Sequence, residues 1–140
     1  MLNEQGQNAA DWREALMTLQ TARLSVFNRI ARVLLCLVFI QAVIGKLTGF
    51  AAVAGMIAAK GLPLAPALLV AAMALMAVGS VLVISGWKAR LGVVLLLVFL
   101  VPTTLLFHGD VSDSGQRIQL LKNLAIIGGL LLVADQDSRS

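Results

Sequence analysis

Twenty consecutive residues, ALLVAAMALMAVGSVLVISG from Ala67 to Gly86, contain no ionisable side chain. A helix of that length rises ~30 Å, the thickness of a bilayer's hydrocarbon core. In water such a segment would need a large protein around it, and this chain has only 140 residues. Of these, 59% are hydrophobic and 13% are charged, against about a quarter charged in an average soluble domain. So short a chain has too much surface for its volume to hide that apolar content. Lipid is therefore its solvent. The ten-residue alternation of a barrel strand is absent, and helices satisfy their own backbone in lipid, so the chain reads as an all-α integral membrane protein.

Three further apolar runs approach the same length, giving four spans at about 27–45, 67–86, 91–108 and 118–134. Pro63 and Pro66 suit the start of the second span. Pro102 predicts a kink in the third, with Thr103 and Thr104 placed to occupy the backbone groups it frees. The tetrapeptide WKAR joins the second and third spans as a tight antiparallel hairpin. Between the first two spans, GFAAVAGMIAAKGLP is too short to cross. Phe50, Val53, Met56 and Ile57 predict a short interfacial helix there, with Gly61 as its C-cap. The result is a four-transmembrane-helix bundle in residues 29–134, an N-terminal amphipathic segment in 1–28 and a tail in 135–140.

Within the N-terminal segment, Asp11-Trp-Arg-Glu14 has the form of a capping box. Trp12, Ala15, Leu16, Leu19 and Val26 recur at helical spacing, with Arg13, Gln20 and Arg23 around them. That pattern suits a helix on the cytoplasmic membrane face, with Trp12 at the headgroups. Docking onto a partner subunit would need the same pattern. The segment lacks the basic n-region and small-residue cleavage site of a signal peptide.

The net charge of +4 does not indicate nucleic-acid binding, because the basic residues flank apolar runs, where they orient helices and meet anionic lipid. Arg13, Arg23, Arg29, Arg32, Lys88, Arg90 and Arg139 fall on the side of the termini, against Lys46, Lys60, Arg117 and Lys122 on the other. That bias predicts both termini in the cytoplasm. The single cysteine, Cys36, lies in an apolar run and offers neither a disulfide nor a metal spacing.

Depth singles out a polar group. At ~1.5 Å per residue, Lys46 lies ~21 Å, Lys122 ~19 Å and His108 ~27 Å from the cytoplasmic boundary. A charge at such depth is costly and faces a partner or a cavity, unless its stem snorkels to the interface. Lys46, His108, Lys122 and Asn123 together predict a shared polar pocket in the outer half of the bundle. No catalytic triad, phosphate loop or metal cluster is present in the sequence.

Several of these features, in order, resemble the DoxX family: GKLTGF after the first span, Lys60–Pro63, SGWKAR, FH closing the third span and LLKNLAIIGGLLL in the fourth. These are small four-helix bacterial inner-membrane proteins, distantly related to Surfeit-locus cargo receptors. The resemblance covers about residues 29–134 and falls on Gly45, Lys46, Gly61, Pro63, Gly86, Arg90, His108, Lys122 and Asn123. It implies a bacterial inner or photosynthetic membrane and association with membrane oxidoreductases, including a thiosulfate:quinone oxidoreductase. Many members have a glutamate midway along the second span; this chain has Met76 there, ~15 Å deep. Spans one to four then hold no carboxylate to pair with either lysine.

Three functions are weighed. The first is a non-catalytic accessory subunit of an electron-transfer or photosynthetic complex. Gly45/Gly49 and Ala125/Gly129 would allow other helices close approach. The second is a quinone- or oxyanion-binding oxidoreductase subunit, with Lys46, His108 and Lys122 as ligands. No haem, flavin or iron–sulfur motif is present, so a quinone is the one cofactor that this reading brings in. The third, a small transporter or lipid-handling protein, ranks last because no inverted repeat is visible. Lipid and other membrane subunits are the expected partners.

Overall fold

The structure is a computed structural model describing residues 2–139; the side chains of residues 2 and 21–24 are excluded, so the expected place of Arg23 lies outside the described residues. Five helices follow one another: α1 (Leu2–Thr48), α2 (Phe50–Ala59), α3 (Ala65–Ser85), α4 (Ala89–Phe107) and α5 (Ser114–Arg139). α1, α3, α4 and α5 are long and apolar enough to cross a membrane, and α2 is the short helix between the first two spans. The chain is an all-α integral membrane protein. It divides into two units, Met1–Ala31 and Arg32–Ser140.

The first unit is helical throughout its described residues. Helical bonding starts at Leu2, so Asp11 lies inside α1 and does not cap it. The amphipathic segment and the first span are thus one helix by hydrogen bonding, without the boundary that a capping box at Asp11 predicts. The reason is that residues 2–10 contain no proline to stop the helix from extending toward the N-terminus.

In the second unit, α4 packs against both α3 and α5, and α2 packs against α3. The main core takes Cys36 and Phe39 from α1, Met76 and Val83 from α3, Val93, Leu96 and Leu100 from α4, and Ile126, Leu130 and Val133 from α5. A second cluster, around Ile57, Ala65 and Leu69, holds α2 onto α3, with Phe107 beside it. Met56 points away from that cluster and is 54% exposed, so the inward face of α2 is Phe50, Val53 and Ile57. Outward-facing residues such as Val81, Leu105 and Leu132 are apolar and exposed, as a lipid-facing surface requires.

The closest helix crossing is between α3 and α4. A Cβ on Gly79 would lie 2.8 Å from Leu96, and one on Gly92 would lie 2.7 Å from the Gly79 carbonyl oxygen. Neither glycine belongs to the pairs expected to allow close approach. Nothing lies within 4 Å of a Cβ on Gly45, and one on Gly49 would meet only the carbonyl of Gly45. Ala125 is exposed. Of the four, Gly129 alone meets another helix, at 3.2 Å from Leu35.

Helix ends are set by local chemistry. α3 stops at Gly86, whose φ of 77° suits a residue without Cβ and whose N–H donates to Leu82. The turn to α4 is Gly86–Lys88, starting one residue before WKAR and ending two residues before WKAR does. α2 ends on Lys60, with Gly61 at φ +79° just beyond it. α5 begins four residues before its apolar run, because the Asp113 carboxylate accepts the Gln116 N–H at 3.0 Å and caps it. It also continues to Arg139, so the expected tail is helical across its described residues. In α4, Pro102 frees the Val98 carbonyl. The Thr103 and Thr104 hydroxyls donate instead to Phe99 and Leu100, each at 2.7 Å. Their reach is one helical turn back along their own positions, which is why they miss Val98.

Candidate functional site

The polar residues expected to share a pocket are distributed around the C-terminal half of α4. Phe99, Thr103 and Phe107 recur every four residues and so share one face of that helix; Leu100, Thr104 and His108 share the next. Lys46, two residues before the end of α1, is half-buried and holds its Nζ 5.7 Å from the centroid of the Phe99 ring. A desolvated cation over an aromatic face gains about 0.5–2 kcal/mol, which offsets part of the cost of depth. No carboxylate is required for this. Lys60, at the end of α2, makes the same contact with Phe107 at 5.6 Å.

Asn123 is 7% exposed and donates from Nδ2 to Thr104 Oγ1 at 3.0 Å. The Thr104 hydroxyl proton is committed to the Leu100 carbonyl, so its oxygen accepts from Asn123, and this orients the amide. His108 caps α4, is half-buried, and donates its backbone N–H to Thr104 O at 3.0 Å. Lys122 takes no part in this arrangement and is exposed. It precedes Asn123 by one residue, ~100° of helix rotation, so turning Asn123 inward sends Lys122 out. Met76 is fully buried in the main core.

The sequence did not single out Thr104, Phe99 and Phe107 as partners, nor Lys60, at the end of α2, as a second lysine lying against α4. The signal was available in the aromatic spacing of four and eight around Thr103, which marks a face two lysines can share. The structure thus places two lysine–aromatic contacts along α4 and, separately, a buried Asn123–Thr104 hydrogen bond.

A second polar group lies at the opposite ends of the helices. Arg32 is 9% exposed and donates from Nη1 to the Val83 carbonyl at 3.2 Å, within the last turn of α3. A guanidinium there satisfies a carbonyl the helix leaves open and complements its dipole. Arg90 N–H donates to Asp137 at 3.3 Å, tying the start of α4 to α5. Arg139 and Asp135 pair at 3.2 Å on the exposed side of α5.

Comparison with known proteins agrees with this architecture. A family model described as DoxX matches residues 27–109. The inner membrane protein YqjF of Escherichia coli (strain K12) is 31% identical over 107 residues, covering 75% of this chain and 79% of that protein. No solved structure gives a significant match.

Proposed function

This chain belongs to the DoxX family, and from that premise we propose that it is a non-catalytic accessory subunit of a larger membrane complex, of the electron-transfer or photosynthetic kind. The observation that carries this reading is Met76. Its side chain is fully buried among residues of all four spanning helices, at the position where the resemblance implies a carboxylate. A bundle closed at its centre by apolar packing leaves its surface as the working part. The relative is named an inner membrane protein, which supports a bacterial inner membrane, and the basic bias supports cytoplasmic termini. Co-purification in mild detergent tests the reading. The expected result is a discrete assembly containing other polypeptides; migration of this chain with no other polypeptide would count against it.

The arrangement on α4 favours one second reading, a quinone- or oxyanion-binding oxidoreductase subunit. In this reading Lys46, His108 and Lys122 would hydrogen-bond the ligand, with Asn123 as a further donor. If Lys46→Met and Lys122→Met variants keep full activity in the assembled system, this second reading fails.

A further inference from the structure

The buried side of α5 runs through Asn123, Ile126, Leu130 and Val133. Its steps of three and four residues continue back through Gln119 and Gln116, both half-buried. One face of a single helix is thus polar in its first half and apolar in its second. α5 packs against α4 and follows it after a short loop, so the two run antiparallel. On α4, Thr104 and His108 lie one turn apart. The Asn123–Thr104 hydrogen bond fixes the level at which the two helices meet. His108 and both glutamines therefore lie on the loop side of that bond.

This stretch is short of hydrogen bonds. Among the described residues, the three side-chain amides make one side-chain bond, from Asn123 Nδ2 to Thr104 Oγ1. That leaves Asn123 Oδ1 without a donor, in a residue that is 7% exposed. Gln116 Oε1 is buried and also lacks a donor. The Thr104 hydroxyl cannot serve, since its proton goes to Leu100. Lys122 faces out, and Lys46 and Lys60 lie against Phe99 and Phe107 on the neighbouring face of α4. Buried acceptors are met by a protein donor or by water, and a buried water takes about three hydrogen bonds in a polar site.

We propose that water enters the seam between α4 and α5 from the loop end and reaches the Asn123–Thr104 pair. Gln116 and Gln119 line the way in, over ~10 Å of helix rise, with His108 beside them. Leu100 and Ile126, both in the main core, close the floor. The two buried oxygens left unmet accept hydrogen bonds, which neither an anion nor an acyl chain can supply. The ligand is therefore a small neutral donor. This site goes beyond the accessory-subunit reading and does not depend on it.

The test is NMR cross-relaxation with water, on the whole chain in lipid nanodiscs. The Asn123 side-chain amide is expected to show a water cross-peak. The backbone amides of Leu130 and Val133, on the apolar half of the same face, should show none. Combining Gln116→Leu with Gln119→Leu should lower the Asn123 peak about threefold or more, because water would then have to cross an apolar stretch. Absence of a water peak at Asn123 in the unaltered chain would overturn the proposal, as would an acyl-chain peak in its place. So would a water peak that the double variant leaves unchanged, or equal water peaks at Asn123 and Leu130. Co-purification reports separately on other subunits, so the failure of either reading is distinguishable from failure of the other.

Discussion

Gly92 stands where a side chain would collide with the backbone of α3. Its Cβ would fall 2.7 Å from the Gly79 carbonyl oxygen and 2.9 Å from Leu82 Cβ, and neither is a flexible side-chain end. Gly92→Ala should therefore lose about 1–3 kcal/mol through forced separation of the helices, read as a lower denaturation midpoint in detergent. Gly45→Ala meets nothing within 4 Å and replaces a poor helix former inside α1, so it should not lower that midpoint. At the buried pair, Asn123→Ala and Thr104→Val are each destabilising. A double-mutant cycle should return a coupling of about 0.6 kcal/mol, the average for hydrogen bonds within membranes. Zero coupling would remove Thr104 from the site. At this scale the sequence was a partial guide. It marked Lys46, His108 and Asn123 as unusual because polar groups at depth are costly, which is a property of residue and position. It did not single out Gly79 and Gly92, because spacing states which residues share a face and not what that face meets.

Among the elements, α5 shows how a helix can outrun its apolar run. Its first turn is polar, and Asp113 supplies the acceptor for the Gln116 N–H. Asp113→Ala should cost about 1 kcal/mol and fray residues 114–117, measurable as faster amide exchange there. The preceding loop adds a pH test. Asp110 is exposed, and the Ser112 hydroxyl and then the Ser112 amide hold its carboxyl below the usual range. A depressed carboxylate contributes stability above its unfolded pKa and loses it as pH falls through the folded one. Ser112→Ala removes the larger contribution, so NMR titration should find Asp110 protonating at a higher pH. The D-x-x-Q pattern that starts α5 was legible, but hydropathy outweighed it and placed the start at residue 118. Hydropathy finds where lipid begins; caps find where the backbone is satisfied.

For the molecule as a whole, the test lies in the core. Met76 packs into a cluster supplied by α1, α3, α4 and α5, so a change there acts on the entire bundle. Met76→Glu should lose several kcal/mol, because its carboxylate would have no buried partner to offset desolvation. An ionised carboxylate costs more to bury than the neutral acid, so the penalty is larger at the higher pH. The variant should melt lower at pH 8 than at pH 5, and equal melting at both would show that the site admits solvent or a cation. The sequence by itself determined four spans, their helical form and the loop helix, because transfer into lipid and the pairing of backbone groups depend on local composition and length. Only tertiary structure decided that Gly79 and Gly92 make the close crossing, that Lys46 rests on Phe99, and that Asn123 faces inward while Lys122 faces out. Those outcomes depend on which helix sides meet, and that is set by packing among segments far apart in the chain.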